Sequence, residues 1–277
     1  MKGVFLTIIL GTVVLIYACS DDDPGTIINP PVTVPSDTVG LHLQFGTPED
    51  GDPSDDYLLK RSQFVISYNK NRNVANWVSW NLNAQWFGDE PRFSGSFIRD
   101  TLLPDGWYRV NHSDYTNTGF NRGHMVRSEE RTRNALDNRT TFFMTNVLPQ
   151  TPDLNQGVWL DFEYWCEDMC KEQGMELYII AGGIFHPPHD MLKGVVAVPD
   201  SCFKIVVMMN HGERLGDATA QTSVIAVSMP NIDGIRSHDW EMYTTTVDAI
   251  ELATGYDFLD LLPDGIEDAL EAQRHPI

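Results

Sequence analysis

From residue 62 onward the chain alternates between short apolar runs and polar turns. Residues 63–68, with Phe64, Val65 and Ile66, predict a strand, and 69–73 a turn. Trp77-Val78-Ser79-Trp80-Asn81-Leu82 alternates as the partner strand. Arg92 falls in a loop bounded by proline and glycine, and 115–120 is polar. Next comes a short strand carrying Arg122 and His124, two apart and so on one face. Residues 129–136 predict a short helix and 141–146 a strand. Residues 156–173 repeat Val158, Trp159, Phe162, Trp165 and Met169 at helical spacing and stop at Gly174. Three strong strands follow at 176–181, 203–209 and 222–227, then helices at 244–253 and 264–272. Runs of strands with scattered helices predict an α+β fold with a central antiparallel sheet flanked by helices.

The first sixty residues read differently. Residues 1–18 hold one early lysine and an apolar run too short for a comfortable membrane span, the pattern of a secretory signal. The run ends Leu15-Ile16-Tyr17-Ala18-Cys19, which resembles the cleavage box of bacterial lipoproteins, so Cys19 is the expected lipidation site. Ser20-Asp21-Asp22-Asp23 then resembles an acidic export tag. The expected location is the bacterial outer membrane or the cell surface, reached through a lipid anchor. Residues 19–61 are rich in Pro, Asp, Gly and Thr and read as a linker, with the globular domain at 62–277. Asp50, Asp52, Asp55 and Asp56 lack the glycine and closing glutamate of an EF-hand, so they read as acidic linker.

With 277 residues, 42% of them hydrophobic, the chain is long and apolar enough for a sizeable core. Its formal charge of −20 disfavours loose binding to nucleic acid or anionic membranes. Much of that excess lies at 21–23, 49–56 and 239–271. Exposed charges beyond about 8–10 Å are largely screened, and around His124 the arginines 122, 127, 131, 133 and 139 outnumber Glu129, Glu130 and Asp137. Arg127 and Arg131 are therefore expected to meet phosphates, with no sequence preference. With Cys19 set aside, Cys166, Cys170 and Cys202 allow at most one bridge, and the pairing stays open.

Asn155 lies near a helix start, with Trp159 and Glu163 following at steps of four. An imidazole, an arginine, an amide oxygen and a carboxylate on two packed elements are the parts of a metal-assisted phosphodiesterase. His186-Pro187-Pro188-His189-Asp190 has no further ligand at zinc spacing and reads as a surface loop. Trp159, Phe162 and Trp165 read as helix packing rather than a base-stacking platform.

Asn121-Arg122-Gly123-His124, Thr145-Asn146-x-x-Pro149-Gln150 and Asp153-Leu154-Asn155-Gln156-Gly157-x-Trp159 with Glu163 together resemble the signature of the DNA/RNA non-specific endonucleases of the ββα-metal superfamily. Asn76-Trp77-Val78, Arg92, Ala181-Gly182-Gly183, residues 246–255 and Leu262-Pro263 extend the likeness over about 62–275. The resemblance implies a ββα-metal finger and an endonuclease that hydrolyses DNA and RNA. His124 would be the general base and Asn155 the direct ligand of Mg²⁺, with Mn²⁺ the alternative. Glu163 would hold the ion's waters, Asn146 would orient His124 or the nearby loop, and Arg92 and Arg122 would grip phosphate oxygens. Two positions depart from the pattern: Asn121 stands where the family usually has Asp, and Glu167 where an arginine is common. These keep open a rival reading, a surface lipoprotein of the same fold that binds nucleic acid or a partner without efficient cutting.

Overall fold

The computed structural model describes residues 36–275. The expected signal, Cys19 and the first part of the linker lie outside them. In chain order the described elements begin with α1 (Ser36–His42), β1 (Tyr57–Lys60), β2 (Val65–Asn69) and β3 (Val74–Leu82). Next come α2 (His112–Tyr115), β4 (Asn121–His124), α3 (Ala135–Thr140), β5 (Val147–Gln150) and α4 (Trp159–Lys171). β6 (Met175–Ile184), β7 (Met191–Leu192), β8 (Val196–Ala197), β9 (Ser201–Asn210) and β10 (Ser223–Pro230) follow. The C-terminal part holds β11 (Thr244–Thr245), α5 (Val247–Thr254) and α6 (Asp264–Glu271). No helix among the described residues is long and apolar enough to cross a membrane.

The centre is a seven-stranded sheet in the order β1-β2-β3-β6-β9-β10-β11, antiparallel at every pairing. Both of its faces are covered. Leu177, Ile179, Ala181 and Val206 join the apolar cluster under α4, with Trp80, Trp159 and Phe162. Their alternates Tyr178, Ile180, Ile205 and Val207 join the other cluster, with Val247 and Ile250 of α5 and Leu270 of α6. Two-sided burial explains why β3, β6 and β9 are almost continuously apolar instead of alternating. β4 and β5 form a separate antiparallel pair, His124 opposite Val147, and α4 follows to complete a strand–strand–helix unit.

The domain begins earlier than residue 62. Residues 36–61 are not linker: α1 and β1 belong to the folded unit, and Phe45 and Leu59 are core residues. β1 is an edge strand that buries only Leu59 of its four residues, so no periodic signal marks it. His42 is buried between Ser62 and Asn81: one ring nitrogen lies 2.9 Å from the Ser62 carbonyl, and the other accepts from the Asn81 N–H at 3.1 Å. Other elements are shifted. The predicted helix at 129–136 is a 3₁₀ turn, Ser128–Arg131, followed by α3, which Asn134 caps through the Asp137 N–H. The predicted strand at 141–146 is mostly turn, with one parallel bridge from Phe143 to Ile98, and continuous pairing starts at Val147. α5 starts only at Val247, because the Thr246 side chain caps it, and it stops at Gly255 with φ +83°. Cys166, Cys170 and Cys202 are buried free thiols.

Candidate active site

His124 ends β4, and the chain leaving it is clamped by Asn146. The Met125 N–H donates to the Asn146 carbonyl at 2.9 Å. The Asn146 side chain accepts from the Val126 N–H at 3.0 Å and donates to the Val126 and Thr141 carbonyls, each at 2.9 Å. Asn146 thus fixes the loop and not the imidazole. These bonds help to hold the turn at 141–146: the carboxamide satisfies the local backbone, and among the described residues the only strand-type pairing there is the bridge from Phe143 to Ile98. The imidazole itself is wedged against Phe97 and Phe142, centroids 5.0 and 5.1 Å away. Its Nε2 is buried with no protein partner. Burial, then the Arg92 guanidinium, push the ring down to about 3, so it is a neutral base at ordinary pH.

Asn155 sits in an irregular wide turn, Leu154–Val158, ahead of α4, which begins later than the predicted residue 156. Gly157 breaks the helical path there, with φ −123° and ψ −116°. A Cβ at Gly157 would lie 2.4 Å from the Arg236 carbonyl oxygen, so only glycine fits. Among the described residues the Asn155 carboxamide makes no protein hydrogen bond. One turn into α4, Glu163 is buried, and burial pushes its carboxyl up to about 7 against the pull of Lys204 and Arg127.

His124, Asn155 and Glu163 line one cleft of about 270 Å³, together with Arg92, Arg127 and Glu129. Gln156, Leu160 and Tyr164 complete its wall. Arg92 donates from Nη1 to Glu129 Oε1 at 2.8 Å and to the Ser128 hydroxyl, and its side chain is half exposed. Arg127 donates to Glu129 at 3.2 Å and to Glu167 at 2.9 Å, while its buried Nη1 has no acceptor. Burial works to raise Glu129, but Arg92 and Arg127 overcome it and hold that carboxyl down to about 2.

Two expected residues stand elsewhere. Arg122 is not in the cleft wall: its Nη2 donates to the His112 carbonyl at 2.6 Å and to Thr116 Oγ1 at 3.2 Å, beside Phe97 and Tyr115. Arg131 does not face substrate. It is fully buried, donates to the Gln63, Asn81 and Glu130 carbonyls, and stacks 4.2 Å over Trp86. Its nearness in sequence to His124 suggests a phosphate contact that its burial excludes. Its guanidinium instead satisfies backbone oxygens at the sheet, which a lysine could not do so fully.

Two further charged residues, Lys204 and Glu130, are buried behind the cleft. Lys204 lies on β9 between Cys202 and Val206, pointing to the α4 side, with Nζ 3.7 Å from Glu163 and 4.3 Å from the Trp159 ring centroid. Glu130 accepts from the Trp80 indole at 3.0 Å. A single lysine at an inward position of an apolar strand was the available signal, since burying an ammonium demands a partner. In the proline-rich loop His186 lies 3.0 Å from Asp200, and neither it nor His189 joins a group of three ligand-type side chains among the described residues.

Hard oxygen donors at Asn155 and Glu163, beside an unpartnered imidazole nitrogen, fit a divalent metal ion. Residues 42–265 match the family described as DNA/RNA non-specific endonuclease. A nuclease of Nostoc sp. (strain PCC 7120) is 42% identical over 94% of this chain and 94% of its own. Mitochondrial endonuclease G of Bos taurus is 26% identical over 85% of this chain and 83% of its own. In the solved structures, the crystal structure of the EndoG/EndoGI complex contains a chain similar in fold, with a TM-score of 0.68 at 20% identity, covering 82% of this chain and 93% of that one. The chain belongs to the DNA/RNA non-specific endonuclease family, and it is an endonuclease.

Proposed function

We propose that this cleft cuts DNA and RNA without sequence preference, with His124 as general base and a divalent ion, Mg²⁺ in our reading and Mn²⁺ the alternative, as cofactor. The observation that carries it is the meeting of an unpartnered His124 Nε2, an unengaged Asn155 carboxamide and buried Glu163 in one opening. When bound at Asn155, with Glu163 behind it, the ion supplies charge neutralisation at the scissile phosphate and the leaving 3′ oxygen. His124 Nε2 takes a proton from a water as its oxygen attacks phosphorus, the bond to the 3′ oxygen breaks, and a 5′-phosphate end is left. Arg92 and the free Nη1 of Arg127 donate to phosphate oxygens as charge gathers on them. Phe97 and Phe142 keep the imidazole oriented and dry.

Residues 1–18 are in our reading a secretory signal, with Cys19 lipidated, which would hold the enzyme at the outer membrane or cell surface to degrade extracellular nucleic acid. The support is the sequence pattern alone. Incorporation of a labelled fatty acid in cells, lost in Cys19→Ser, tests it; a wild-type chain that takes up no label sinks it.

The catalytic reading is tested by incubating supercoiled plasmid and RNA with the purified chain in Mg²⁺, in chelator, and with His124→Ala. Cutting that survives the chelator, or an equally active His124→Ala chain, would end it.

A further inference from the structure

α5 and α6 lie on the sheet face opposite the cleft, and carboxylates converge between them. Asp248, Glu251 and Glu271 each bring an oxygen within 4.8 Å of the others. So do Asp257, Glu267 and Glu271, and Glu271 is common to both sets. Glu271 is the last residue of α6 and is only 8% exposed. Its Oε1 is buried without a hydrogen-bond partner. Among the described residues no lysine or arginine pairs with any of these carboxylates.

Glu251 accepts from the Phe258 N–H at 2.8 Å and is hydrogen-bonded to Glu271, but no counter-charge reaches the buried Glu271 Oε1, and desolvated unpaired charge is strongly unfavourable. The acidic group at Asp50, Asp55 and Asp56 is different. None of its three members is buried, and Asp55 Oδ2 and Asp56 Oδ1 already accept from Ser67, Asn69, Asn76 and Tyr256, which leaves only Asp55 Oδ1 buried and unpartnered.

We propose that the α5–α6 cluster is a second, structural cation site that binds one calcium ion, with Glu271 as the shared ligand. The donors are all hard oxygens, with no histidine or cysteine, which selects calcium or magnesium over zinc. Calcium–oxygen distances of about 2.3–2.6 Å place opposite ligands up to roughly 5 Å apart, matching the observed convergence. Calcium accepts irregular carboxylate sets, whereas magnesium demands near-octahedral geometry at shorter distance. Ligands drawn from α5, the turn at Asp257 and α6 would tie the C-terminal segment to the domain.

The test uses the purified full chain with Asn155→Ala, so that the cleft does not contribute, and titrates calcium by calorimetry and thermal unfolding. One ion per chain is expected, half-saturating at about 0.1–1 mM, and the melting temperature should rise by roughly 3–6 °C in about 10 mM calcium. Adding Glu271→Gln should abolish both effects. On the otherwise wild-type chain, Glu271→Gln should leave the Mg²⁺-supported cutting rate unchanged. If Glu271→Gln does not fold, the exposed pair Asp248→Asn and Asp257→Asn carries the same test, with a loss of roughly tenfold or more in calcium affinity. No calcium-dependent rise in the Asn155→Ala chain, or an equal rise after the cluster is neutralised, overturns the site. Neither outcome bears on cutting, which depends on the opposite face.

Discussion

Glu167 holds Arg127 against the cleft wall: Arg127 Nη2 donates to Glu167 Oε2 at 2.9 Å, which leaves Nη1 as the donor that no protein group engages. The departure from the family pattern at residue 167 therefore sets the posture of a neighbouring arginine. Removing the guanidinium with Arg127→Ala should lower kcat/KM on DNA by roughly 10–100-fold. Glu167→Gln keeps a hydrogen-bond acceptor and removes a negative charge. KM for DNA should then fall, and its dependence on log salt should steepen by up to about one unit. Steady-state kinetics across a salt series checks both. A Glu167→Gln chain with raised KM and an unchanged salt slope would show that the ion pair matters for structure alone.

His124→Ala should cost about 10²–10⁴ in kcat while leaving DNA binding nearly intact. The pH profile is more discriminating. Burial and Arg92 push the folded imidazole down to about 3. Its basic form is then present above that pH and is lost only as pH falls through it. The acid limb of kcat/KM should lie well below the usual histidine value of about 6.5. Initial rates from pH 4 to 8 at two metal concentrations test this: a limb that moves with metal belongs to Glu163, pushed up to about 7, and a limb centred near 6.5 that metal does not move would contradict it.

His42 predicts a pH dependence of stability. Burial first, then Arg131, push it down to about 3, against the Ser62 carbonyl, which raises it. The unfolded chain binds a proton below about 6.5 and the folded chain does not, so this contribution is complete above 6.5 and is lost progressively as pH falls towards 3. The slope is about 1.4 kcal/mol per pH unit. Glu163, pushed up to about 7, acts in the opposite sense, contributing stability at low pH that is lost as pH rises through 7. The difference between wild type and His42→Gln isolates the histidine. It should shrink by roughly 2 kcal/mol between pH 6.5 and 5, measured by urea unfolding.

Lys204→Met should destabilise the domain by about 3–5 kcal/mol, because it leaves Glu163 and Glu130 buried without their ammonium partner. Losing that cation also drives the Glu163 carboxyl further up, so more divalent metal should be needed for half-maximal cutting at pH 7. Urea unfolding and a metal titration of activity check the two effects separately. Unchanged stability would mean the pair is already neutral in the native protein.

The buried strands and α4 were legible because their apolar residues recur without interruption, and the motif residues His124, Asn155 and Glu163 do converge. Three things hid from the sequence. β1 is a polar edge strand whose single buried leucine leaves no period. The turn before β5 is built from aromatic and β-branched residues that usually mark strands, and it is held by the Asn146 carboxamide, bonded across the loop, and by a single bridge to Ile98. Arg131 is charged and close to the site in sequence, yet its three carbonyl acceptors come from segments distant in the chain as well as its own neighbour, and sequence does not reveal that convergence. At 141–146, tertiary hydrogen bonds overrode the local preference for strand.

The central sheet also arranges the molecule's electric field. The cleft arginines lie on one side, the α5 and α6 carboxylates on the other, and a sheet with its packed side chains is roughly 10 Å thick. Screening over about 8 Å damps the repulsion that the far side exerts on a polyanion at the cleft. Within a screening length of the surface, the two sides still differ in charge. A strand of nucleic acid that comes this near meets less repulsion at the cutting face than at the acidic rear, so the uneven spread of charge orients encounters while the net −20 opposes them.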